Sequence, residues 1–73
     1  MEEILYMVVA ENGMYYTRRL VADGLSEDEA VRRKRAFRDA KSNPEHYHKA
    51  EYYVFSYTAK TRSEVMERER VQV

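Results

Sequence analysis

The sequence predicts a small α+β domain, residues 1–73, with one helix packed across an antiparallel β-sheet in the order ββαββ; the alternative order is ββαβα. Three observations carry this expectation. Two β-rich runs, EILYMVVA and MYYTRRLV, flank Glu11-Asn12-Gly13. A stretch with helix start and stop signals follows from Ser26 to Asn43, and AEYYVFSYT then alternates its side chains with a period of two. A chain of 73 residues is too short to build two cores, so a single domain is expected.

Asn-Gly between β-rich runs signals a hairpin, because both residues tolerate positive φ. A two-residue turn pairs Glu11 with Met14, Val9 with Tyr16 and Leu5 with Leu20. A three-residue turn with Gly13 in the left-handed region shifts each pair by one, and the sequence does not choose between them. The first run is apolar on both faces, as a central strand would be; the second carries Arg18 and Arg19 and should be more exposed.

Ser26 suits a helix N-cap, and with Glu29 it fits the capping box; Leu25 and Ala30 are spaced for a hydrophobic staple. Glu27, Asp28 and Glu29 then fall at the positive end of the helix dipole, with Arg38 and Lys41 near the negative end. Asn43-Pro44 marks the stop. At about 100° per residue the inner stripe is Ala30, Phe37 and Ala40, flanked by Arg33 and Lys34, whose stems must lie along the sheet. Arg32, Arg35 and Arg38 point outward with Asp39. In AEYYVFSYT, Tyr53, Phe55 and Tyr57 share one face, and Tyr52, Val54, Ser56 and Thr58 the other. The tail TRSEVMERERVQV has two readings. Thr61 and Glu64 could cap a short helix, but the alternation Glu67, Arg68, Glu69, Arg70 before Val71 and Val73 favours a strand.

Lys plus Arg and Asp plus Glu both number 13, so the net charge is zero, yet the charges are segregated. Residues 1–31 hold seven acids and two arginines; residues 32–49 hold seven bases and two acids. Cysteine is absent, which removes disulfides and thiolate-bound zinc and makes a cytoplasmic address the default. The longest apolar run, ILYMVVA, is far short of the roughly 20 residues of a membrane span. Met1 followed by two glutamates does not resemble a signal peptide, so a complete small protein is expected. A core of this size supports about 3–5 kcal/mol, which leaves self-association, as a homodimer, open as a further source of stability.

Catalysis finds little support, since no nucleophile–base context and no Gly-rich phosphate loop is present. The expectation is a non-enzymatic protein with no cofactor. His46-x-His48, with Glu45 and Glu51 nearby, could reach one ion from an extended segment, but no second cluster completes a site. The two histidines are read as solvated loop residues and no metal is expected.

Binding remains. The stretch RRKRAFRDAK places six bases in ten positions, and the chain carries seven tyrosines. Tyrosine with arginine is the composition that protein interfaces favour. A docking surface is expected from Arg32, Arg35 and Arg38 on the outer helix face, with Arg18, Arg19, Tyr15, Tyr16 and Tyr52 on the sheet. The expected partner is a macromolecular protein complex, approached by docking and occlusion. The alternative is nucleic acid, held by the basic helix with bases stacked on sheet aromatics such as Tyr53, Phe55 and Tyr57. In size and composition the chain resembles the small regulators with which phages and mobile elements block host machinery such as a polymerase or a defence complex.

Overall fold

The computed structural model describes residues 2–13, 15–40 and 50–73. Six elements follow in order: β1 (Leu5–Asn12), β2 (Arg18–Leu25), α1 (Glu27–Ala40), β3 (Ala50–Tyr57), α2 (Arg62–Arg68) and β4 (Val71–Gln72). The four strands form one sheet in the order β3-β1-β2-β4, an α+β architecture as expected.

β1 is the central strand, antiparallel to both β2 and β3. Its apolar run needs cover on both faces, because alternate side chains point to opposite sides. Each face receives a helix. Met7 and Val9 join Tyr57, Val65 and Met66 of α2 and Val71 of β4 in one core cluster, with Leu5, Leu20 and Phe55 packed against it. On the other face lie Val8, Tyr52 and α1, where the Phe37 and Tyr52 rings stack at 5.6 Å and the Tyr6 hydroxyl donates to Glu27 at 3.0 Å. Met7, Val8 and Val9 are fully buried, each worth roughly 1.5–3 kcal/mol of apolar transfer.

The hairpin adopts neither short turn. Val9 lies opposite Leu20 and Glu11 opposite Arg18, so the loop is longer. The Asn12 N–H donates to the Thr17 carbonyl at 2.8 Å, the Tyr16 N–H to the Asn12 carbonyl at 2.7 Å, and Asn12 Oδ1 accepts from the Tyr15 N–H at 3.3 Å. Tyr16 takes the left-handed conformation, with φ 56°. The reason lies in the core. The two-residue turn sets Arg18, and the three-residue turn with Gly13 last sets Thr17, opposite the fully buried Met7. The observed register instead gives Leu20 to Val9 and pairs Arg18 with Glu11 at 3.0 Å. Burial pattern overrides turn chemistry here. Between Val9 and Tyr6 the pairing with β2 shifts twice, and Gly24, with φ 68°, supplies the positive φ that the second bulge uses.

α1 starts as its caps predict: the Glu29 N–H donates to Ser26 Oγ at 3.3 Å. The Glu29 carboxylate does not close the box, being held by Arg32 at 2.9 Å and Arg33 at 3.9 Å. Ala30 is buried and Phe37 and Lys34 are half-buried, while Ala40 and Arg33 are exposed, so the buried stripe is narrower than the expected one. The expected stop at Asn43-Pro44 lies outside the described residues.

The tail contains both candidate elements, with a helix over Arg62–Arg68 where the sequence alternation favours a strand, and a strand at Val71–Gln72. Val65 and Met66 explain the difference. Both are buried, which adjacent residues of a strand packed on one face could not be. α2 also makes the sheet mixed. It returns the chain to the end from which β3 starts, so β4 runs parallel to β2 and the sheet is not wholly antiparallel.

Candidate docking surface

α1 runs alongside β1. Its first residue, Glu27, meets Tyr6, and Phe37, ten residues on, meets Tyr52, which pairs with Ala10. Ten helical residues rise about 15 Å and the four strand residues from Tyr6 to Ala10 about 13 Å, so helix and strand keep pace. The acidic first turn therefore sits at the Tyr6 end of the sheet. The basic turns, with Arg35 and Arg38, sit at the end where the hairpin loop emerges.

Arg19 joins them. Arg19, Ala10 and Tyr52 are paired across three strands, which places Arg19 on the α1 face at that same end. Arg19, Arg35 and Arg38 are exposed, and among the described residues none has a carboxylate partner. Val31, Lys34, Arg35 and Arg38, spaced at 31, 34, 35 and 38, line one shallow groove along the helix, and Val31 is 41% exposed. Tyr15 and Tyr16 stand out from the loop, 68% and 78% exposed. Of the expected residues, then, Arg19, Arg35 and Arg38 share the α1 face at one end of the molecule, and Tyr15 stands exposed on the loop there, whereas Tyr16 lines a shallow pocket of the opposite face with Glu11, Arg18, Arg68, Glu69 and Arg70. Arg32 lies further back, bonded to Glu29. Tyr52 is half-buried, with one ring face taken by Phe37.

Arg18 points to the opposite face, as its neighbour Arg19 requires. Its guanidinium bonds Glu11 and Glu69, each at 3.0 Å, and also donates to the Glu69 carbonyl at 3.1 Å. The same guanidinium lies 5.1 Å from the centre of the Tyr53 ring and 5.9 Å from that of Phe55, within cation–π range. Tyr53 stacks on Phe55 at 6.2 Å and donates its hydroxyl to Glu51 at 2.7 Å and Glu11 at 3.2 Å. The bond to Glu51, with burial and the bond to Glu11, pushes the Tyr53 hydroxyl up to about 12. The aromatic row on this face is thus occupied by an arginine and surrounded by carboxylates.

Further along that face is a cluster with no counterpart in the sequence reading. The bidentate Arg62 guanidinium bonds Asp23 at 3.0 and 2.6 Å, and the Gly24 N–H donates to Asp23 at 2.7 Å and to the Tyr57 hydroxyl at 3.1 Å. The Tyr57 hydroxyl donates to the same carboxylate. Burial opposes ionisation of Asp23, but the bonds from Tyr57, Arg62 and Gly24 outweigh it and hold the carboxyl below its ordinary value. Burial and the bond to Asp23 push the Tyr57 hydroxyl up. This cluster ties the start of α2 to the β2 bulge. The sequence signal that could have found it is the Asp-Gly pair inside a strand.

Among the described residues no group of three or more His, Asp or Glu side chains could hold a metal ion, and no helix is long and apolar enough to cross a membrane. Glu45, His46 and His48 lie outside the described residues. Comparison with protein families, with curated proteins and with solved structures finds no match for this chain.

Proposed function

We propose that this chain is a non-enzymatic regulatory protein that docks on a protein complex through the hairpin end of its α1 face and occludes the surface it covers. The observation that carries the reading is the gathering of Arg19, Arg35 and Arg38 at the hairpin end of the α1 face, with Tyr15 exposed on the loop at that end. Their guanidinium groups are unmatched by carboxylates among the described residues, with Val31 as an apolar spot in the adjoining groove. Arginine and tyrosine around an apolar patch suit an interface centre. The opposite acidic end of α1 gives the molecule a charge axis that would orient an acidic partner surface on approach. Arg32 and Lys34 extend the basic stripe toward the middle of the helix.

Nucleic acid is the competing partner for the same arginines. Two features favour protein: the net charge is zero, and the sheet aromatics that would stack bases are ringed by Glu11, Glu51 and Glu69, which repel phosphate. An affinity pull-down from cell lysate, run with and without nuclease and read by mass spectrometry, separates the two. A discrete set of proteins that persists after nuclease is the expected result. Loss of every partner on nuclease treatment would give the surface to nucleic acid instead.

A further inference from the structure

The two outer edges of the sheet are built differently. On the β2 side, β4 pairs with Arg18 and Arg19, and the rest of that strand is broken by two register shifts around Val21 and Gly24. β3, on the other side, pairs with β1 through eight consecutive residues without a shift. It contains no proline and no lysine, and Glu51 is its single charge. Among the described residues, nothing hydrogen-bonds to the outer side of its backbone. A strand at an edge presents a row of unpaired N–H and C=O groups, and proteins blunt such rows with lysine, proline, bulges or a covering segment. Among the described residues, those devices stand on one edge only.

We propose that the outer edge of β3 pairs antiparallel with β3 of a second copy of this chain, about a two-fold axis, joining two four-stranded sheets into one. The strand is complementary to itself. With the axis at Val54, Val54 meets its own copy, Tyr53 meets Phe55 of the second copy, Tyr52 meets Ser56, and Glu51 meets Tyr57. These are β-branched and aromatic pairs of the kind that stabilise neighbouring strands, and no like charges are opposed. The occupant is a second copy because a core whose large, fully buried side chains among the described residues are Met7, Val8 and Val9 gains most from association, and because every cross-strand match is supplied by the chain itself. A two-fold axis perpendicular to the sheet keeps both α1 helices on the same side, with their basic ends at opposite ends of the joined sheet.

Sedimentation velocity on the full chain, from about 1 to 200 μM, tests this alongside amide hydrogen exchange at both ends of the range. The mass should rise from 8.8 kDa toward twice that value, and alternate amides of β3 should slow with concentration while those of residues 20–22 in β2 do not. A chain that stays at 8.8 kDa throughout would overturn the proposal. So would a dimer whose β3 amides exchange at one rate at every concentration, because another surface would then be holding it.

Discussion

Because consecutive strand residues face opposite sides of the sheet, Arg18 is enclosed by Glu11, Glu69, Tyr53 and Phe55, while Arg19 stands exposed beside α1. Removing them should have unequal costs. Arg18→Ala leaves Glu11 and Glu69 without their shared cation and strips a cation–π contact, and should destabilise the chain by about 1–2 kcal/mol in urea unfolding. Arg19→Ala should fall within about 0.5 kcal/mol of the parent in the same measurement. Arg70 makes the opposite case. It holds the left-handed position that ends α2, with φ 56°, where glycine is the usual occupant. Arg70→Gly should therefore gain about 0.5–1 kcal/mol by relieving the strain on a side chain with a Cβ.

At the scale of elements, α2 is held by two anchors: Val65 and Met66 in the core, and Arg62 on Asp23. Met66→Ala should cost about 2–4 kcal/mol, a large part of the stability of so small a domain. The Asp23 anchor sets a pH dependence. Its folded pKa lies below the ordinary 3.8, so its contribution is fully present above that value and is lost as pH falls through the depressed one. Stability should therefore decline on the acid side below about pH 4, and Asp23→Asn should flatten that limb in a chemical-denaturation series across pH. Neither Asp23 nor the hairpin register was legible beforehand, for a shared reason. Asn12-Gly13 is a strong local signal, but the cost of burying Arg18 or Thr17 against Met7 acts across strands and no window of neighbouring residues contains it. The bulge that aims Asp23 at Tyr57 and Arg62 likewise depends on how β2 meets β1. What was legible was local: Ser26 at the α1 cap, the apolar run of β1, and the period-two alternation of β3. The tail fell between the two, since Glu67 to Arg70 alternate as a strand would, while burial of the adjacent Val65 and Met66 decides for a helix.

For the whole molecule, the segregation of charge along the chain becomes an axis in space, because α1 lies along β1 with its acids at the Tyr6 end and its bases at the hairpin end. The basic helix was plain in the sequence; that Arg19 and Tyr15 share its end followed only from the strand pairing. Binding through a charged rim around tyrosine and Val31 should weaken only moderately with salt, within about tenfold from 50 to 200 mM, whereas six to ten phosphate contacts would lose about 10³–10⁵ over the same range. The most direct test reverses the helix charges. Arg32, Arg35 and Arg38 changed together to Glu lie on exposed positions and should leave the circular dichroism spectrum and unfolding midpoint close to those of the parent. Affinity for the captured protein partner should then be measured for parent and variant side by side. Binding should weaken by at least about a hundredfold, as expected when attraction to an acidic surface becomes repulsion. A folded variant that binds as tightly as the parent would mean that the basic helix is only solvated and that docking lies elsewhere.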